Sequence, residues 1–177
     1  MITIAEIENI INNTNNLQWK AATGFLDIDK AMNILNTKFE NIIEIGTNNG
    51  FSAAILTNWT KGHVFTFDIS HRNCDYIWDL LNVRNKISCF IGSREELEWE
   101  INYMLTNWKD AQLNIVFDLA FVDGNHEYEW VKRDFELVKF TGKVLFHDCD
   151  IIPDVRDFCN EIETIDICEN ITMWEQK

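Results

Sequence analysis

Gly46 and Gly50 lie four residues apart in the stretch Asn41-Ile-Ile-Glu-Ile-Gly-Thr-Asn-Asn-Gly-Phe-Ser52, just behind a single acid, Glu44. The chemistry such a stretch offers is the cradling of a ligand. Glycine lets backbone approach a bound group closely or adopt positive φ, and the first amides of a helix point outward as unpaired donors. An apolar run (Ile42, Ile43, Ile45) leads into the glycines and another, Phe51 to Leu56, leads out of them, as in a buried strand, a tight turn and a helix. Further along, polar residues close other apolar runs: Asp68, Gly92-Ser93, Asp123 and His147-Asp148. Carboxylates and imidazoles gathered in this way can hold hydroxyls, a cation or a proton.

For these residues to meet, the chain between them must bring the ends of the apolar runs to one edge. Ile4, Ile7, Ile10 and Ile11 predict a helix within residues 2–16, followed by a loop through Trp19. Asp27 or Asp29 is expected to cap a second helix with Ala31, Met32, Ile34 and Leu35 on its apolar face. Strands are expected at Asn41–Ile45, Val64–Asp68, Lys86–Ile91, Asn114–Asp123 and Lys143–Phe146. Helices are expected at Phe51–Trp59, Tyr76–Leu81, Arg94–Trp108 and Asn125–Phe140, and from Pro153 through Cys159. Thr164–Glu175 reads as one or two short strands. Strands alternating with helices imply right-handed βαβ units, hence an α/β, Rossmann-like, doubly wound and mostly parallel sheet with helices on both faces. In such sheets ligands bind beyond the carboxyl ends of the strands, where strand order reverses. No repeat or proline-rich linker divides the chain, so one domain is expected over 1–177: a helical segment to about residue 38, then the core from 39.

Composition narrows the partners. The 177 residues carry a formal net charge of −14, which argues against a nucleic-acid backbone and disfavours an anionic membrane surface as partner. No apolar run approaches the ~20 residues that cross a bilayer. The N-terminus has acids where a signal peptide has a basic start, so export is not expected and the Asn-X-Thr triplets at Asn12, Asn58 and Asn170 carry no message. Five cysteines, without a Cys-x-x-Cys pair, suit reduced thiols in a cytoplasmic protein. The charge runs Arg94-Glu95-Glu96 and Lys132-Arg133-Asp134 read as solvated helix faces, and Trp78, Tyr128 and Trp130 as packing residues or substrate contacts.

Asp68 follows Gly46 by 22 residues, near the ~20-residue interval at which a strand-end acid meets ribose hydroxyls. The loop, however, is Glu-x-Gly-x-x-x-Gly and not Gly-x-Gly-x-x-Gly. A fixed carboxylate at Glu44 would repel a pyrophosphate and suit a cationic ligand, which disfavours a nicotinamide dinucleotide.

With Glu44-Ile-Gly-Thr-Asn-Asn-Gly50 and Phe67-Asp68, the sequence resembles the class I S-adenosylmethionine (SAM)-dependent methyltransferases over residues 24–160. More specific are Phe121-Val-Asp-Gly-Asn-His-Glu-Tyr128, continuing to Leu137, and Val144-Leu-Phe-His-Asp148. They resemble a subgroup with Asp-Gly-x-His-x-Tyr before a helix, related to catechol and macrolide-sugar O-methyltransferases.

The resemblance implies SAM as cofactor. Gly46, Asn48 and Gly50 would border its methionine part with Glu44 near the amino group, Asp68 would hold the ribose, and Gly92 and Ser93 would border the adenine. In the metal-dependent relatives, acids at the positions of Asp123 and Asp148 bind Mg²⁺. The neighbouring ligand position is His147 or Cys149 here, depending on alignment, which points to another divalent cation such as Mn²⁺ or Fe²⁺. His126, at the start of the helix after Asp123, could take a proton from the acceptor hydroxyl. The expected reaction is O-methylation of a small molecule or saccharide, with or without a metal. The alternative is a non-catalytic SAM-fold binding or assembly protein, since the chain is short for this family. Exposed aromatics and short terminal strands would suit a homodimer.

Overall fold

The computed structural model describes residues 1–13, 24–70, 72, 74–110 and 115–177. The expected loop through Trp19 and the start of the strand expected at Asn114 lie outside them. Helix α1 (Ile4–Asn12) begins in a capping box, with Thr3 Oγ1 accepting from the Glu6 amide and Glu6 accepting from the Thr3 amide. Helix α2 spans Gly24–Leu35. It starts earlier than the sequence suggests, so Asp27 and Asp29 lie inside the helix and not at its cap position. Its buried face is Phe25, Ile28, Ala31 and Met32, a 3–4 spacing that leaves Ile34 on the exposed side.

The core then alternates as expected: β1 (Ile42–Ile45), α3 (Phe51–Leu56), β2 (Val64–Asp68), α4 (Cys74–Leu80), β3 (Ile87–Ile91), α5 (Arg94–Asp110), β4 (Leu119–Val122), α6 (Tyr128–Val138), β5 (Lys143–Phe146), α7 (Pro153–Glu161), β6 (Ile165–Cys168) and β7 (Ile171–Glu175). Two boundaries shift for physical reasons. Strand β4 is shorter than its apolar run because Ile115 and Val116 face solvent while Asp118 turns back to accept from the Glu40 amide. Helix α6 starts only at Tyr128, after an extended Glu127, so His126 stands on a loop and not on the helix.

Sheet order is β3-β2-β1-β4-β5-β7-β6. The first five strands are parallel neighbours, and β7 runs antiparallel between β5 and β6. The chain therefore builds outward from β1 to β3, then returns to β1's other side with β4, making the order reversal where a crevice opens. Register places the site. Ile45 pairs with Phe67 and with Val122, and Val122 pairs with Phe146. The next residue on each strand is Gly46, Asp68, Asp123 and His147, so all four emerge side by side.

Alternation along the strands divides the core into two layers. Ile42, Phe121 and Leu145 pack beneath α2, α3 and α4 with Met32, Ile55 and Trp78. Ile43, Phe67 and Val122 pack beneath α5, α6 and α7 with Ile101, Phe135 and Phe158. Each such side chain, fully buried, contributes about 1.5–3 kcal/mol. Trp78 is entirely buried and donates its indole N–H to the Gly50 carbonyl at 2.8 Å, so it props the glycine loop from below. Among the described residues no helix is long and apolar enough to cross a membrane.

Candidate active site

The glycine loop needs its glycines for two reasons. Gly46 has φ +101°, and a Cβ there would lie 2.1 Å from the Asp123 carbonyl oxygen. Gly50 has φ +80°, caps α3, and would drive a Cβ to 2.7 Å from Trp78 Nε1. Between them the Asn48 amide donates to Asp68 Oδ2 at 2.7 Å, and the Ser70 amide donates to the other carboxylate oxygen at 2.9 Å. Asp68 thus ties the end of β2 to the loop after β1, with lone pairs left for a ligand.

A cavity of about 640 Å³ runs along this edge from Gly46 past Asp68 and Ser93 to Leu97 and Trp130. A second, of about 260 Å³, opens between the N-terminus of α2 and the ends of β4 and β5, and takes in Gly50, His126, His147 and Asp148. Asn48, Asp123 and Gly124 line both. The sequence-derived residues Gly46, Asn48, Gly50, Asp68, Ser93, Asp123, His126, His147 and Asp148 are therefore brought to two adjoining chambers. Ser93 also caps α5, its Oγ accepting from the Glu96 amide while Glu96 accepts from the Ser93 amide. Gly92 lines neither chamber.

Glu44 lines neither chamber either, and here the sequence reading needs correcting. Its side chain is fully buried beneath the loop, where Thr66 Oγ1 donates to Oε2, while Oε1 has no partner. Burial raises its pKa to about 8, the nearby hydroxyls of Ser52 and Thr66 opposing the rise and the charges of Asp123 and Asp68 adding to it. Glu44 is accordingly a neutral acid near pH 7, not a fixed charge facing a ligand. The folded-state pKa lies above the ordinary 4.5, so Glu44 contributes stability that is complete below that value and lost as pH rises through about 8. Thermal unfolding between roughly pH 5 and pH 8.5 should show the melting temperature falling in the native protein and a flatter profile in Glu44→Gln. Parallel profiles would mean that Glu44 ionises without cost.

In the smaller chamber, imidazoles alternate with carboxylates. His147 Nδ1 lies 3.0 Å from Asp123 Oδ1, and His126 Nε2 lies 3.4 Å from the same oxygen and 3.5 Å from Asp148 Oδ2. Burial works against the charge on Asp123, but the hydrogen bonds to His126 and His147 hold its pKa below the usual carboxylate value. His126 is raised, chiefly by its hydrogen bond with Asp123. His147 is pushed up to about 9, Asp123 and Asp27 outweighing burial. Burial raises Asp148, and the His147 charge works against that rise. Asp148 also has positive φ (61°), an uncommon conformation for a residue with a side chain.

Sequence reasoning missed Asp27, Arg94 and Asp134. Asp27 reaches His147 Nε2 at 3.1 Å from α2, and nothing local in its sequence signals this. Arg94 and Asp134 form a largely buried ion pair at the Trp130 end of the larger cavity, and Arg94 Nε also donates to Glu98 at 2.9 Å. They are not the solvated faces expected. The signal was present: Asp134 sits within the stripe Val131, Phe135, Val138, and an acid there requires a partner. Tyr128 is a packing residue, its hydroxyl donating to Glu161 and its ring meeting Phe158 edge-on.

The same fold occurs in solved structures. An O-methyltransferase from Bacillus cereus in complex with SAH aligns with a TM-score of 0.68 at 14% identity, over 99% of this chain and 93% of that one. An SAH-bound methyltransferase from Podospora anserina gives 0.64 at 16%, over 99% and 89%. The O-methyltransferase TomG from Streptomyces achromogenes, in complex with SAM, gives 0.58 at 14%, over 82% and 75%. At such identities the likeness establishes the fold. No curated protein matches the sequence. The family model described as a methyltransferase domain matches residues 43–149, from β1 to the residues after β5 and so across both chambers. With more than half of its length inside that model, the chain belongs to the methyltransferase-domain family.

Proposed function

We propose that the whole chain acts as one SAM-dependent O-methyltransferase domain on a small-molecule acceptor, with saccharides in its range. The observation that carries this reading is the pair of chambers meeting at Asn48, Asp123 and Gly124. SAM fits the larger one, its ribose at Asp68 and its adenine toward Ser93 and Trp130. The acceptor fits the smaller one, beside His126. Length does not favour a non-catalytic binding protein, since the chain spans 93% of the B. cereus enzyme. Five free cysteines support a cytoplasmic location.

In this arrangement the acceptor oxygen attacks the methyl carbon, the sulfur–carbon bond breaks, and sulfur keeps the electron pair. Holding the two reactants in line across the shared wall supplies much of the acceleration. His126 receives the hydroxyl proton, with Asp123 and Asp148 fixing its ring. Asp123, His147 and Asp148, whose ligand atoms lie within 4.8 Å of one another, fit a divalent cation. Such an ion would orient the acceptor oxygen and lower the pKa of its hydroxyl.

Calorimetric titration tests the cofactor: SAH should bind and NAD should not, and failure of SAH to bind would overturn the reading. In turnover with an accepted substrate, His126→Gln should lower kcat by about 10²–10⁴-fold with little change in the KM for SAM. An unaltered kcat would remove His126 from the chemistry.

A further inference from the structure

His147 is held from two sides. Its Nε2 meets Asp27 Oδ2 at 3.1 Å, and Asn170 Nδ2 lies 3.5 Å from the same Asp27 oxygen. Gly24, at the start of α2, lets that helix come close: a Cβ there would lie 3.2 Å from the imidazole Cε1. Nδ1 faces the other way, 3.0 Å from Asp123 Oδ1 and 3.4 Å from Asp148 Oδ1. Ligands adjacent on one ion with bonds of about 2.1 Å stand roughly 3 Å apart, the spacing seen here.

We propose that Asp27 is a positioning residue which, by accepting the Nε2 hydrogen of His147, aims its Nδ1 at Asp123 and Asp148 and makes a mixed nitrogen–oxygen site for a divalent transition-metal ion, which displaces the Nδ1 proton to solvent on binding. A carboxylate behind a ligating imidazole fixes both its tautomer and its orientation. Imidazole nitrogen suits Fe²⁺, Co²⁺ or Zn²⁺ better than Mg²⁺, which demands oxygen ligands in a near-regular octahedron. His126 Nε2 stands within 3.5 Å of both carboxylates but outside this ligand set, which leaves it as the base. The inference deepens the methyltransferase reading by naming the class of ion at its acceptor site. Its test needs neither SAM nor acceptor, so either idea can fail alone.

Metal-free protein is dialysed against Co²⁺ alone and Mg²⁺ alone, and bound metal and the visible Co²⁺ spectrum are read. One Co²⁺ per chain is expected, held at least about ten times more tightly than Mg²⁺. Asp27→Ala should weaken Co²⁺ by about 10–100-fold, with a melting curve confirming that the variant is folded. If Asp27→Ala does not fold, His147→Asp replaces it and should narrow the gap between the two ions. Equal affinity for Co²⁺ and Mg²⁺ would overturn the proposal, as would a folded Asp27→Ala with native Co²⁺ affinity. So would no bound ion at all, in which case His147 is an imidazolium bridging Asp27 and Asp123.

Discussion

Asp68→Ala is expected to weaken SAH binding by about a hundredfold or more. A carboxylate that accepts from two vicinal ribose hydroxyls makes two charge-assisted hydrogen bonds, each contributing about 1.5–3 kcal/mol. Loss of roughly 3 kcal/mol in all is a factor of about a hundred. A second effect adds to this. Asp68 also accepts from the amides of Asn48 and Ser70, so alanine releases the loop that borders the same cavity. Asp68→Asn keeps one acceptor and the shape but loses the charge, and should fall between alanine and the native protein. Titration calorimetry with SAH reads all three. Because Asp68 is only half-buried, the ligand-free melting temperature should move little. Native affinity in the alanine variant would remove Asp68 from the ribose.

Gly46→Ala is expected to destabilise the fold by about 3–5 kcal/mol and to abolish SAH binding. The added methyl meets backbone, which cannot swing aside: the Asp123 carbonyl oxygen at 2.1 Å, its carbon at 2.6 Å and Gly124 Cα at 3.0 Å. Both neighbours are pinned. The Gly46 amide donates to the Phe67 carbonyl and the Asp123 amide to the Ile45 carbonyl, each at 2.8 Å. Relief requires β1 and β4 to part at their carboxyl ends, which displaces Asp123 from both chambers. The φ of +101° adds strain that any side chain would feel. For a chain of this length the melting temperature should drop by roughly 10 °C. Gly142→Ala is the control, with φ +79° but nothing within 4 Å of its Cβ, and should lose only about 1 kcal/mol. Similar melting of the two variants would mean that the contact with Asp123 does not constrain the loop.

By itself the sequence determined the alternation of strands and helices, because each strand core is a short apolar run closed by a polar residue or glycine. Val64–Asp68 and Lys143–Phe146 fall where their runs fall. It also determined which residues end the strands, and parallel register then forces Gly46, Asp68, Asp123 and His147 onto one edge. Local pattern reaches no further than that. The charge state of Glu44 was decided by the tertiary structure, because a carboxyl buried under α3 with one oxygen unpaired titrates differently from one at an open strand end. Arg94 and Asp134 found each other across two helices, a pairing that only packing could make. Asp27 met His147 from 120 residues away because α2 lays its first turn against the ends of β4 and β5. Spacing along a chain encodes which residues share a strand or a helix face. Which buried charges neutralise one another depends on how those faces are docked, and docking is set by the whole core.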